Sequence, residues 1–264
     1  MARTKDDKNL RLAGLFIIIV LGLIVISALF KFLLIVKDSR FDGSHNFIVS
    51  FIGKDREEVV SFSPQNRTLS ILDIDSKYNN KDLTKTFEIP IDGTVVSQNI
   101  NSDNISSPLL KGVISLGQPL KKLTILDALR LFLFCKTIPQ NNVYERQLSS
   151  GLNDAQRSTV INLSLTDTSI YQENQTIQII NASNVPGLGT RLATLITNIG
   201  GNVILVSTAD ETLQKSQIVY YGDKTYTVKK ISDYLQIPAV VSNQRGVADV
   251  IITIGKDKIS SPDF

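Results

Sequence analysis

The stretch TIQIINASNVPGLGTRLATLITNIGG, residues 176–201, decides the fold of the last third of the chain. Its first five residues alternate apolar and polar around isoleucines, which predicts a β-strand. A turn rich in Asn, Pro and Gly follows, and the next apolar residues recur at helical spacing up to a Gly-Gly stop. The predicted helix has an apolar face made of Leu188, Leu192, Leu195, Ile196 and Ile199.

The residues after this stretch continue the alternation of strand and helix. Such an order is typical of a compact α/β domain, here predicted over residues 175–258 as a β-α-β-β-α-β module. The expected elements are strands at 202–206 and 217–221, a helix at 225–235, and strands near 239–241 and 249–254.

Upstream, residues 41–170 predict a second small α/β domain, so the fold class is α/β (α+β) with two small domains. The pattern indicates a strand at 46–52, a hairpin at 58–73, a strand near 85–89 and a core helix at 120–134. From residue 139 the chain is rich in Asn, Gln, Ser and Thr, which predicts a domain tail and linker. The core helix is expected to bury Leu123, Leu126, Leu129, Phe132 and Leu133.

The run from Leu12 to Phe30 contains no charged residue. As a helix it would be about 28 Å long, close to the hydrocarbon thickness of a bilayer. It is apolar on all sides, unlike an amphipathic core helix. A cleaved signal peptide is the alternative, but the run is long and no small-x-small site follows it. We therefore predict an uncleaved transmembrane anchor over residues 12–36.

Charge separates the anchor region from the remainder. Residues 1–37 carry six Lys and Arg and two Asp, a net charge of +4, so the rest of the +3 chain carries −1. The basic residues before the helix favour a cytoplasmic tail over residues 1–11 and a single-pass plasma-membrane protein with its C-terminal domains outside. The near-neutral remainder argues against nucleic-acid binding.

Cofactor and metal sites are not expected. The sole cysteine, Cys135, excludes an intrachain disulfide and lies in an apolar stretch typical of a buried thiol, far in sequence from the sole histidine, His45. Gly187 and Gly189, with Asp210 further on, resemble a dinucleotide-binding turn, but Leu192 stands where its third glycine belongs.

The start of the predicted helix offers free backbone N–H groups to an anion or partner. We expect Asn184, Gly187, Gly189 and Arg191 to form this tentative binding site. The acidic pairs are instead expected to be solvated strand edges; they are Glu57 with Glu58 and Asp73 with Asp75.

The C-terminal pattern resembles the C-terminal domain of LytR-CpsA-Psr family proteins. The resemblance covers residues 176–257 and is carried by Ile177-Gln-Ile-Ile-Asn-Ala-Ser-Asn-Val-Pro-Gly-Leu-Gly189, Ala193–Gly201, Ile218-Val-Tyr220 and Ala248–Gly255. It implies a bacterial envelope protein that ends in an accessory module.

The first domain resembles a degenerate, shortened form of that family's catalytic domain. Gly53-Lys-Asp55 and residues 59–72 match the family's opening strands and turn. The family transfers lipid-linked glycopolymers to peptidoglycan with arginines and aspartates that hold a pyrophosphate and a divalent metal. This chain has Arg56-Glu-Glu58 in place of Arg-Ser-Asp and Asp75-Ser-Lys77 in place of Pro-Arg-Asp. Asp55 and Arg56 are the remaining catalytic candidates.

These observations predict a membrane-anchored envelope protein without catalytic activity, whose C-terminal module binds a wall glycopolymer or an envelope protein. The alternative is a divergent glycopolymer transferase acting on a lipid-pyrophosphate donor in cell wall assembly. A regulatory role, implied by the family's older description as transcription attenuators, is the weakest alternative because the tail of about 11 residues is too short for a DNA-binding domain.

Overall fold

The computed structural model describes residues 3–78, 81–97, 104–117 and 120–259. The helices are α1 (Arg3–Asp38), α2 (Leu83–Phe87), α3 (Ser106–Ile114), α4 (Ile125–Thr137), α5 (Asp154–Leu165), α6 (Thr168–Glu173), α7 (Leu188–Asn198) and α8 (Tyr226–Leu235). The strands are β1 (Phe47–Ile52), β2 (Glu57–Ser63), β3 (Thr68–Ile74), β4 (Gly93–Val96), β5 (Leu120–Lys121), β6 (Val143–Leu148), β7 (Thr176–Asn181), β8 (Asn202–Thr208), β9 (Gln217–Tyr221), β10 (Ala239–Ser242) and β11 (Val250–Ile254).

Helix α1 carries one segment, Gly14–Asp38, that is long and apolar enough to cross a membrane. None of its most apolar window is buried against the rest of the protein. Large apolar side chains are exposed on all sides of the helix, so the rest of the protein does not bury them. Such a surface suits a hydrocarbon environment. The segment is a candidate single-pass anchor.

The first sheet has the strand order β5-β4-β1-β2-β3-β6. Strands β1, β2 and β3 form an antiparallel meander, and β4 and β6 flank it parallel to β1 and β3. Side chains alternate between two apolar faces. One face packs under α3 and α4 through residues such as Phe51 and Phe62, and the other packs under α2, α5 and α6 through residues such as Val59 and Leu72. We call β1–β6 with α2–α6 the first unit.

The strand predicted at 85–89 is wrong, because Leu83–Phe87 form helix α2. The side chain of Asp82 accepts hydrogen bonds from the backbone N–H groups of Thr84 and Lys85 and starts this helix. The parallel strand β4, which the sequence pattern does not predict, follows a few residues later.

The linker predicted from residue 139 is also wrong, since most of this segment is ordered. It forms the edge strand β6 and the helices α5 and α6. Asn153 and Gln156 form a reciprocal capping box at the start of α5, and Asp167 caps α6. The residues that suggested a loop by their composition therefore act as helix caps.

Helix α4 confirms the predicted core helix from Ile125 onward, but residues 120–124 precede it, with Leu120–Lys121 in β5, and its buried face differs in part from the predicted one. Ala128 and Leu131 are buried, whereas Leu129 and Leu133 are exposed. The buried face includes Asp127, whose Oδ1 accepts hydrogen bonds from the Ser39 hydroxyl (2.7 Å) and from the backbone N–H groups of Arg40 and Phe41 (both 2.9 Å). This carboxylate fixes the residues that follow the apolar helix to the first unit, which sets the rotation of α4.

The second sheet has the order β10-β9-β11-β7-β8 and packs against α7 and α8. The predicted strands and helices of this region are confirmed, and the module ends in two strands, β10 and β11, which gives the order β-α-β-β-α-β-β. Strand β11 lies in the middle of the sheet, parallel to β7 and antiparallel to β9. We call β7–β11 with α7 and α8 the second unit.

The two units share a buried boundary. Ile199, at the end of α7, belongs to the apolar core beneath α2, α5 and α6 of the first unit. The Lys230 ammonium on α8 binds both carboxylate oxygens of Asp92 at 2.9 Å, and that carboxylate is nearly buried. Tyr226 stacks on His45 with ring centroids 3.9 Å apart and donates a hydrogen bond to Asp167. These contacts hold the units together as one body.

Candidate functional site

Arg56 lies at the start of β2, where the turn after β1 closes through a hydrogen bond from the Gly53 N–H to the Arg56 carbonyl. Its guanidinium Nε lies 2.9 Å from the Asp73 carboxylate and 3.0 Å from that of Glu58. The register places Glu58 opposite Asp73 on β3, so both carboxylates point to the same face of the sheet as Arg56. One guanidinium is therefore shared by two carboxylates.

The electrostatics of this cluster are those of a satisfied cation. The hydrogen bond to Asp73 raises the pKa of Arg56, with further contributions from Glu58, Asp73 and Glu145. Three acidic side chains thus act on one basic one. An anionic ligand here would have to displace carboxylates from Arg56 and would meet their repulsion.

The prediction that Glu57 and Glu58 form a solvated edge is wrong, because their residues are 4% and 0% exposed. Glu58 faces Arg56, and Glu57 faces the opposite side and accepts a hydrogen bond from the Ser50 hydroxyl at 2.9 Å. Burial raises the pKa of Glu57 even though the Ser50 hydrogen bond lowers it. Asp55, the other catalytic candidate, lies exposed in the turn next to Arg56.

The divalent metal implied by the family resemblance does not fit these residues. Glu58 and Asp73, the carboxylates nearest the candidate position, are both bound to the Arg56 guanidinium, and a metal ion there would meet this cation. Within residues 3–78, 81–97, 104–117 and 120–259, no cluster of three or more His, Cys, Asp or Glu could hold a metal ion.

A cavity of about 600 Å³ lies between the first sheet and the helices α3 and α4. Leu69, Ile105, Ile138 and Val143 supply apolar walls, and Glu145 lies at its border. The charge of Glu145 also helps to raise the pKa of Arg56, so the cavity lies near the group formed by Arg56, Glu58 and Asp73.

Cys135 lines this cavity with a half-buried thiol. Burial raises the pKa of Cys135 to about 12, so that it stays protonated at neutral pH. The predicted role as a packed thiol agrees with this environment.

In the second unit, the loop between β7 and α7 holds two of the four predicted binding residues, and a third, Gly189, lies in the first turn of α7. Asn184 and Gly187 both have positive φ angles, 66° and 78°, and both are exposed. Gly187 caps α7 without a side-chain hydrogen bond. Gly189 is buried instead, and a Cβ there would lie 3.2 Å from Val206 Cγ1 and 3.3 Å from Asn181 Cβ. Gly189 therefore serves close packing, while Asn184 and Gly187 form the surface.

Arg191, the fourth predicted residue, points away from the loop to the first unit. Its Nε lies 3.2 Å from the Glu88 carboxylate, with a longer contact from its guanidinium to the Lys85 carbonyl. Neighbouring Asn198 donates to the carbonyl groups of Phe87 and Glu88. The structure thus gives Arg191 a role at the boundary between the units, so this cation does not belong to the loop of Asn184 and Gly187.

Together these features define a chain with one apolar helix able to span a membrane and two fused α/β units. Residues 174–257, which include the whole of β7–β11, match the family described as LytR cell envelope-related transcriptional attenuator. This match confirms the predicted resemblance of the second unit to the LytR C-terminal domain.

Two solved structures are similar to parts of the chain. The Lin1025 protein from Listeria innocua is 12% identical, covers 67% of this chain and 86% of its own, and gives a TM-score of 0.19. TagT from B. subtilis is 15% identical, covers 75% and 93%, and gives a TM-score of 0.19. At these scores the likeness carries no argument about the fold of this chain. No curated protein matches the chain.

Proposed function

We propose that this chain is a single-pass plasma-membrane protein that binds cell-envelope material and does not catalyse glycopolymer transfer. The main support for this proposal is the ion pairing of Arg56. Its guanidinium lies 3.0 Å from the Glu58 carboxylate and 2.9 Å from the Asp73 carboxylate. A pyrophosphate needs charge-assisted contacts from an excess of cations, and here carboxylates are in excess.

The proposed arrangement puts the N-terminal tail in the cytoplasm and both units outside. Arg3, Lys5, Lys8 and Arg11 precede the apolar helix, in agreement with the bias of cytoplasmic segments toward basic residues. Asp127 holds the residues directly after the helix, so the first unit would lie against the membrane surface without a flexible tether.

The proposed contact in the second unit is the loop of Asn184 and Gly187. The N–H groups at the start of α7 attract an anion, and the loop surface is exposed. A wall polymer bearing phosphate or carboxylate groups, or an acidic segment of an envelope protein, has the required charge.

A binding assay tests this proposal on the full chain in lipid nanodiscs. Pelleting with purified peptidoglycan that carries its wall polymers should retain the protein at low salt, and Gly187→Asp should weaken retention by placing a negative charge at the loop. Gly222→Asp is the matched control, because Gly222 also has positive φ and an open Cβ position. No retention of the unmodified chain, or equal loss in both variants, would contradict the proposal.

A divergent glycopolymer transferase is the second candidate. The observation that favours it is the cavity of about 600 Å³ beside Glu145, which is large enough for part of an apolar chain. In that case Asp55→Ala and Arg56→Ala should abolish transfer from a lipid-pyrophosphate donor. Absence of turnover in the unmodified chain excludes this candidate.

A further inference from the structure

The face of the first sheet that lies opposite α3 and α4 is polar near the turn between β2 and β3. Ser61 and Ser63 on β2 pair with Ser70 and Thr68 on β3, and Ser70 in turn pairs with Tyr144 on β6. The residues between them face the other core. Two short alternating patterns, Ser-x-Ser and Thr-x-Ser, thus place a patch of small hydroxyl groups beside apolar side chains of the same face, such as Val59 and Leu72.

This patch is covered on one side by the end of α5 and the start of α6, which leaves a cavity of about 270 Å³. Ser164, Thr166 and Thr168 add polar groups from the helices. Two hydrogen bonds fix the start of α6 over the patch. Asn66 donates to the Thr168 hydroxyl at 2.6 Å, and Gln65 donates to the Ser169 hydroxyl at 2.7 Å. The cavity is a formed feature with polar walls.

Several donors in this cavity are not used by the protein. Among the described residues, the buried Nη1 of Arg146 has no hydrogen-bond partner. No side-chain hydrogen bond within the described chain engages Ser63, Thr68 or Ser70. A buried guanidinium nitrogen without a partner costs free energy, so its presence indicates a ligand or solvent that completes it. The guanidinium carbon of Arg146 lies 5.9 Å from the centre of the Tyr144 ring, which is partly exposed at the rim.

We propose that this cavity binds one acidic sugar residue of an envelope glycan. Serine and threonine hydroxyls donate and accept, as sugar hydroxyls require, and the exposed face of Tyr144 suits the C–H face of a pyranose ring. The Arg146 guanidinium matches a carboxylate or phosphate with two parallel hydrogen bonds. The volume lies at the small end of ligand pockets, in agreement with a single residue. The source of this ligand, though not the site, rests on the proposed envelope function.

Titration of the full chain in nanodiscs with glucuronate, glucose 6-phosphate and glucose tests the site, with ligand-observed NMR as the measurement. At least one acidic sugar should bind at least about tenfold more tightly than glucose, and the preferred one identifies the carboxylate or the phosphate. Arg146→Gln should lower that affinity about tenfold, and Arg245→Gln, an exposed arginine of the second unit, should not. Ser70→Val provides a second lesion if the Arg146 variant does not fold.

The outcomes separate this site from the proposed function. Acidic-sugar binding by a chain that peptidoglycan does not retain would support the site and contradict the function. Retention on peptidoglycan without saturable binding of any of the three sugars, or binding unchanged in Arg146→Gln and Ser70→Val, would overturn the site alone.

Discussion

Arg56 shows how the partners of a residue determine its chemistry. In this chain it neutralises Glu58, a fully buried acid, and bridges it to Asp73 on the next strand. The sequence predicts a remnant of a pyrophosphate site at Arg56, and this prediction rests only on the residues next to Arg56 in the chain. The pairing of Glu58 with Asp73 depends on strand register, which joins residues 15 positions apart.

Replacing Arg56 with Gln should therefore destabilise the fold. We expect a loss of about 2 kcal/mol in the free energy of unfolding, below the 3–5 kcal/mol of a fully buried pair, because the Arg56 side chain is 40% exposed. The additional change Glu58→Gln should restore part of this loss by removing the unpaired charge. Chemical denaturation of Arg56→Gln, Glu58→Gln and the double variant measures these losses. Additive losses in the double variant would contradict the pairing of Arg56 with Glu58.

Glu57 predicts a pH dependence of stability. Burial raises its pKa in the folded protein above that of the unfolded chain, so its contribution to stability is present at low pH and is lost as pH rises through the folded pKa. Glu57→Gln should raise the urea midpoint at pH 7 and leave it unchanged near pH 4, where unfolded glutamates also begin to protonate. Exposed Glu211→Gln is the control. A lower midpoint at pH 7 in Glu57→Gln would show that its charge is needed.

At the scale of elements, local patterns predicted some segments well and others poorly. The strand, turn and helix at 176–201 were predicted because apolar periodicity and the glycines lie within one short stretch. Strand β6 and helices α5 and α6 were missed because they bury few apolar residues and begin with Asn and Asp, which also signal loops. Their stability comes from capping and from the parallel pairing of β6 with β3.

Helix α4 joins the apolar helix to the first unit, and Asp127 carries this junction. Asp127→Ala would leave the backbone N–H groups of Arg40 and Phe41 without their acceptor, at about 1–3 kcal/mol for each buried donor. Hydrogen exchange of the full chain should show faster exchange at residues 39–41. Asp154→Ala, in the exposed first turn of α5, should leave it unchanged. Equal protection in both variants would contradict the role of Asp127.

At the scale of the whole molecule, the second unit is a fixed part of one body. Its α7 and α8 supply Ile199, Tyr226 and Lys230 to the boundary with the first unit. The sequence divides the chain into two domains but does not reveal these contacts, because partners such as Asp92 and Lys230 lie 138 positions apart. A binding surface on the second unit is therefore presented at a fixed orientation to the apolar helix.

Lys230→Met should weaken the contact between the two units, because it leaves the buried Asp92 carboxylate without its closest cation. Breaking a buried pair in this way costs about 3–5 kcal/mol, and we expect one unfolding transition to separate into two. Lys229→Met removes an exposed neighbouring charge and should keep a single transition. Scanning calorimetry of the chain in detergent gives the comparison. A single transition in Lys230→Met would show that the ion pair does not couple the units.

Binding to peptidoglycan and glycan transfer can be measured on the same sample of this protein. The full chain in nanodiscs is incubated with peptidoglycan and a labelled lipid-pyrophosphate glycan donor, and both protein retention and label transfer are counted. We predict retention on peptidoglycan with label transfer equal to that of heat-inactivated protein. Transfer above that background, abolished in Arg56→Ala, would contradict the account and establish the chain as a transferase.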